Sequence, residues 1–360
     1  SKRSGSCWAM SKFDKYKFSY KWNLVDGYPA KGIESNGLKV FGTFICGGGS
    51  TMGYKLAGYT CLGGVEIDTQ VADIYKTNHN PKYLYQMDIR EFNKLTDLPK
   101  ELYSLDLLDG SPPCSTFSIA GSREKFWGKK KHFREGQTIQ TLDDLVFVYC
   151  ETVIKLQPKV FILENVKGII QGNAKIYSKN IVKKMTNAGY NVQVFCLNAA
   201  SMGVPQKRER VFFIGHKKEY NLPKLKLEFN EKPIAFGEIK NNCNSVGKTL
   251  SEIYKNLWIK TIKGKSLSKA HKKGSFFNSI KLNENQVACT IASCGRVMHP
   301  EVPNDISDEA LKLIGSYPLD YNFKTIKPKY LIGMSVPPVM MAQIANQIYL
   351  QWFKNRVFTV

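Results

Sequence analysis

Apolar positions along the first two-thirds of the chain fall alternately into short strand-length runs and helix-spaced sets. Residues 40–45 read as a strand, Gly47-Gly48-Gly49 as a turn, 50–57 as a helix and 61–67 as a second strand, which together make a βαβ unit. A helix is predicted over 69–78, a short strand over 83–87, and a strand from Leu105 that must stop at Pro112-Pro113. Leu142, Leu145, Val146, Tyr149, Val153 and Leu156 keep the i, i+3, i+4 spacing of one buried helix face over 138–157. Strands at 159–163, 192–197 and 210–214, with a helix near 174–188, complete the alternation. The fold class is therefore α/β, a doubly wound Rossmann-like sheet.

At His216 the alternation is lost. Residues 216–281 hold fifteen lysines, no arginine, five glutamates and no aspartate, and a smaller second domain is expected there. Further on, 307–314 reads as a helix capped by Ser307, 333–338 as a turn and 339–352 as a final apolar helix. Four parts follow: an N-terminal extension (1–36), the doubly wound domain (37–217), a smaller domain (218–324) and a C-terminal segment returning to the first domain (325–360). The extension interleaves Trp8, Phe13, Tyr16, Phe18, Tyr20 and Trp22 with lysines, a pattern that either stacks on bases or packs on the main body.

The 360 residues are 43% hydrophobic, enough for a sizeable core, and carry a formal charge of +22 that favours a polyanionic partner. No apolar run has membrane-span length and no signal peptide is evident, so a soluble, intracellular protein without a membrane role is expected. Nine cysteines include no C-x-x-C pair, and reduced thiols with no metal site are expected.

The strand ending at Pro112-Pro113 places Cys114 at the sheet edge where open α/β sheets bind ligands, which suits a nucleophile. Gly47, Gly48 and Gly49 lie between a strand and a helix, where missing β-carbons either admit a ligand or serve close packing. Glu66 ends the second strand, where a carboxylate meets ribose hydroxyls, and Asp88 follows the third. With no lysine after the glycines, an adenosyl ligand is favoured over a nucleoside triphosphate. Glu164-Asn165-Val166 shares the edge with Cys114, as either a proton-delivering acid or a helix cap. Gln206, Arg208 and Arg210 alternate onto one strand face, where guanidiniums either hold a base carbonyl or form an ion-pair ladder.

In this order, Phe44 to Gly49, Glu66, Asp88, Pro112-Pro113-Cys114, Glu164-Asn165-Val166, Gln206 to Arg210 and Ser335-Val336-Pro337-Pro338 resemble the cytosine-C5 methyltransferases over about residues 38–350. Cys294-Gly295-Arg296 and the stretch from Leu313 to Asp320 are similar to the segment before the last motif. Departures are Gly42 and Cys46, where the first motif usually has aspartate and glycine, and Met334, where asparagine is usual. The resemblance implies S-adenosyl-L-methionine as cofactor, bound by Phe44, Gly47, Gly48, Gly49, Glu66, Ile67, Asp88, Ile89, Pro112 and Ser335. It implies catalysis by Cys114, Glu164, Arg208 and Arg210, and substrate contacts from Ser115, Asn165, Gln206 and Arg296. The basic loop 115–137 would close over a flipped-out cytosine. Double-stranded DNA is the expected partner, for a monomeric, cytoplasmic, prokaryotic or phage enzyme with a possible cognate restriction endonuclease. The alternatives are the same chemistry on transfer RNA and a catalytically silent DNA-binding relative.

Overall fold

The computed structural model describes residues 17–113, 130–131, 140–141 and 145–358. The first βαβ unit is β1 (Lys39–Thr43), α1 (Gly49–Leu56) and β2 (Thr60–Glu66), followed by α2 (Thr69–His79) and β3 (Tyr83–Gln86). A short helix α3 (Ile89–Lys94) then precedes β4 (Leu107–Gly110). After it come α4 (Leu145–Leu156), β5 (Val160–Val166), α5 (Lys175–Asn187), β6 (Tyr190–Asn198) and β7 (Glu209–Lys217). Their sheet order is β3-β2-β1-β4-β5-β7-β6. β7 runs antiparallel to both neighbours, and the remaining pairs are parallel. The chain steps outward from β1 to β3 and restarts at β4, so the topological switch lies between β1 and β4, the place where such sheets bind ligands.

Several expected boundaries move. β5 extends to Val166 because β7 pairs with it at every position from Val160↔His216 to Val166↔Arg210, so Glu164 and Asn165 sit inside a strand and cap no helix. Gln206 and Arg208 precede β7, and only Arg210 belongs to it. The described part of α4 starts at Leu145; Gln140–Thr141, expected in that helix, pair antiparallel with Lys130–Lys131. α3, unforeseen, is capped by Asp88, which accepts from Arg90 N at 2.8 Å.

The two sheet faces are covered differently. α1 and the returning C-terminal helix α10 (Pro338–Ile348) pack on one face through Tyr54, Met340 and Ile344 against Leu107, Ile162 and Phe212. α4, with Phe92 and Met185, covers the other through Val146, Tyr149 and Val153.

The lysine-rich region forms a small mixed lobe. α6 (Phe236–Lys240), β8 (Val246–Thr249), α7 (Glu252–Lys260), β9 (Ser279–Lys281), β10 (Arg296–Met298) and β11 (Asn304–Ile306) build it, with sheet order β8-β11-β10-β9. α8 (Asp308–Ile314), capped by Ser307 as expected, and α9 (Pro328–Met334) lead back to α10. α9 occupies the start of the expected 333–338 turn and includes Gly333, whose missing side chain admits a close approach: a β-carbon there would fall 2.5 Å from Ser293 N. The extension packs on the body, since Phe18 and Tyr20 are buried and Trp22 Nε1 donates to Ser316 O at 2.9 Å. These rings are not available to stack on bases; Trp8, Phe13 and Tyr16 lie outside the described residues. No described helix is long and apolar enough to cross a membrane, and the seven described cysteines are free thiols.

Candidate active site

The carboxyl ends of β1 to β5 open into one cleft of about 750 Å³, with the small lobe as its opposite wall. On the β1–β3 side the lining is Phe44, Cys46, Val65, Glu66, Ile67, Met87, Asp88 and Ile89. Phe44 and Cys46 both take left-handed backbone conformations (φ 53° and 47°), which turn the chain tightly off β1. That turn aims Cys46 N at Glu66 Oε2 (3.0 Å), while Glu66 Oε1 accepts from Asp68 N (2.9 Å). Burial pushes the Glu66 carboxyl up to about 7, against the pull of those two N–H groups. Asp88 is held by its cap bond and by Arg90 Nη1 at 3.2 Å.

On the β4–β7 side lie Ser111, Pro112, Pro113, Glu164, Asn165, Arg208 and Arg210. Arg210 Nε meets Glu164 Oε1 at 3.2 Å, with both side chains largely buried. Burial lowers the Arg210 pKa and the facing Glu164 carboxylate opposes the shift. Asn165 Nδ2 faces Pro112 O at 3.5 Å, so it braces the Pro-Pro turn that delivers residue 114. Cys114, Ser115 and all of the 115–137 loop except Lys130 and Lys131 lie outside the described residues.

Other expected site residues spend their polar atoms on the protein itself. Gly48 packs under His79, where a β-carbon would fall 2.2 Å from Nε2; at Gly49 one would fall 2.1 Å from Val336 O, and at Gly47 one would fall 2.9 Å from the Tyr317 hydroxyl. Close packing at these three positions leaves no room for a β-carbon, and the residues of the turn that line the cleft are Phe44 and Cys46. Ser335 is buried behind the turn, donating to Leu331 O and accepting from Tyr317. Gln206 accepts from Ile291 N (3.0 Å) and donates to Ile314 O (3.3 Å), away from the cleft. Arg208 donates to Ile291 O (3.0 Å) and Gly333 O (2.9 Å), clamping the lobe and α9 to the sheet. Its Nε is buried without a partner among the described residues. Arg296 pairs with Asp305 at 2.6 Å and lies 4.5 Å over the Tyr254 ring, outside the cleft.

Sequence reading missed Asp109. It is buried on β4 beneath the Pro-Pro turn and accepts from Tyr54 at 2.7 Å; burial, with Glu164 nearby, pushes its pKa up to about 7. The run from Leu105 carries both Asp106 and Asp109, so the sequence marks two aspartates and singles out neither. It also missed the lobe wall, Ser266, Phe277, Asn278, Thr290 and Ser293, which no local pattern marks.

Residues 38–350 match the family model for the C-5 cytosine-specific DNA methylase. Type II methyltransferase M.FnuDI of Fusobacterium nucleatum is 32% identical over 213 residues, 58% of this chain and 55% of that protein. M.NgoPII of Neisseria gonorrhoeae is 31% identical over 52% of this chain and 50% of its own length, so the chain spans about half of these relatives. M1.HphI of Haemophilus parahaemolyticus is 28% identical over 84% of both chains. A solved structure described as a prophage-encoded DNA modification methyltransferase of E. coli superposes with a TM-score of 0.65 at 20% identity, covering 87% of this chain and 99% of that one, which shows the shared fold. With a matched segment running from the first strand of the sheet to its returning helix, and the cleft residues inside it, the chain belongs to the C-5 cytosine-specific DNA methylase family.

Proposed function

We propose that the protein transfers a methyl group from S-adenosyl-L-methionine to carbon 5 of a cytosine in a specific duplex DNA sequence, through a covalent adduct on Cys114. The observation that carries this is the buried Arg210–Glu164 pair, which stands across one cleft from the half-buried Glu66 and beside the Pro-Pro turn leading to Cys114. The β1–β3 residues suit an adenosyl group: apolar Phe44, Ile67, Met87 and Ile89 flank carboxylates placed for ribose hydroxyls and an exocyclic amine. S-adenosyl-L-methionine bound there supplies an electrophilic methyl group.

Carbon 5 of cytosine is too weak a nucleophile to accept a methyl group unaided. The Cys114 thiolate adds to carbon 6 and leaves an enamine whose carbon 5 is nucleophilic. Glu164 bonds ring nitrogen 3 and the amino group, and Arg210 orients Glu164 and holds the base oxygen, stabilising charge as it develops. Arg208 acts by holding the lobe wall against the sheet. After transfer a base takes the carbon-5 proton, and the freed C–H electron pair restores the 5,6 double bond as Cys114 departs as thiolate. The atom is out of reach in a stacked duplex, so the base enters the cleft flipped out, as for base methyltransferases generally. Residues 37–217 with 325–360 form the catalytic unit and 218–324 the recognition lobe. The Type II names of the relatives support a role as the modification partner of a restriction endonuclease.

Methylation sequencing of DNA from cells expressing the chain tests the reading. Cytosine-5 methylation at one sequence is expected, lost in Glu164→Gln; wild-type cells without it would overturn the proposal.

A further inference from the structure

The recognition lobe leaves large aliphatic side chains in solvent. Ile253, Ile259 and Ile262 are 66%, 62% and 76% exposed. On α7, at about 100° per residue, Ile253, Asn256 and Ile259 fall within one outward arc of roughly 120°. The inward arc is already used: Tyr254, Leu257 and Trp258 pack on Leu250, Leu267 and Met298. Nothing in the lobe's core therefore needs these isoleucines to be apolar.

Their surroundings select the partner. Residues 246–281 carry nine lysines against one glutamate, so any surface that docks here meets concentrated positive charge, which a polyanion complements. The lobe also adjoins the cleft: Ser266, four residues beyond Ile262, lines it, as does Phe277, itself 61% exposed. Ser266 Oγ lies 2.7 Å from Phe277 O and 3.1 Å from Phe276 O, tying the two loops together at the cleft wall. Arginine, whose planar fork makes the commonest specific contact to guanine, is scarce. No arginine occurs between Arg210 and Arg296, and Arg296 is committed to Asp305 and the Tyr254 ring. In the major groove the feature an aliphatic side chain can read is the thymine methyl group, and an asparagine amide suits the adenine edge.

We propose that Ile253, Ile259 and Ile262, with Asn256 among them, read thymine methyl groups in the major groove, so that the recognition sequence contains at least one thymine-adenine pair near the target cytosine. This rests on the methyltransferase reading above.

The test uses the full chain and the sequence found by methylation sequencing, in synthetic duplexes where each thymine in turn is replaced by deoxyuridine, which lacks only the methyl group. At a contacted position wild-type kcat/KM falls about fourfold, the value of one buried methyl-sized group. At least one of Ile253→Ala, Ile259→Ala and Ile262→Ala then treats the thymine and deoxyuridine duplexes alike, while the matching leucine variant keeps the distinction. A wild-type chain that methylates no DNA overturns the enzymatic reading and this inference with it. A methylated sequence without a thymine-adenine pair, a methyl penalty that survives in all three alanine variants, or an equal loss on both duplexes overturns the inference alone.

Discussion

Glu66 carries the clearest pH dependence at the level of single residues. Its carboxyl is pushed up to about 7 by burial, yet two ribose hydroxyls are best accepted by a carboxylate. Binding therefore favours the ionised form. Cofactor affinity should rise with pH up to about 7 and then level off, and Glu66→Gln should bind more weakly with no such rise. Calorimetry at pH 6 and pH 8 decides it; an unaltered pH response in the variant would remove Glu66 from the ribose site. For the nucleophile, a duplex carrying 5-fluorocytosine should form an adduct that survives denaturation, because fluorine cannot leave as a proton does. Cys114→Ala should abolish the adduct, and undiminished trapping in that variant would sink the assignment.

Among the elements, β4 and α1 meet through Asp109 and Tyr54 beneath the Pro-Pro turn. Because the folded-state pKa of Asp109 lies above its ordinary value, the native state holds the proton more tightly than the unfolded chain. Stability from this group is full below about pH 4 and is lost as pH rises through about 7. Asp109→Asn, neutral throughout, should come close to the wild type in urea at pH 4 and exceed it by about 3–5 kcal/mol at pH 8, the range a shift of this size carries. A variant less stable at pH 8 would mean that the charged form is needed. The Arg208 clamp is a second such junction. Arg208→Lys keeps the charge but loses the fork that reaches Ile291 O and Gly333 O together, and should cost about 1–3 kcal/mol in urea denaturation. Discrimination between cognate and scrambled duplexes should stay unchanged.

For the whole molecule, the charge of +22 implies binding that weakens steeply with salt, since each neutralised phosphate releases counterions. Lys272 and Lys273 are both exposed. Replacing the pair with alanine should lower the slope of log affinity against log salt by about two and weaken all duplexes alike. A sequence-selective loss, measured by titration across a salt series, would instead make these lysines base readers.

Local pattern by itself determined the strand–helix alternation, the sheet edge at Pro112-Pro113, the Ser307 cap and the contrast between the sheet and the lysine-rich lobe. Those features rest on periodicity and fixed dihedrals, which act between near neighbours. Glu164 and Arg210 were legible as candidates because strand ends are visible in sequence, but their pairing came from the antiparallel register of β5 and β7. The uses of Gly48, Gln206, Arg208 and Arg296 were not legible. Their partners, His79, Ile291, Gly333 and Asp305, are set by how α2, the lobe, α9 and β11 fold back onto the sheet. A polar or glycine residue carries no local mark of whether it will face a ligand or a carbonyl from elsewhere in its own chain. Only tertiary packing decides that, because it determines which buried polar groups remain to be satisfied.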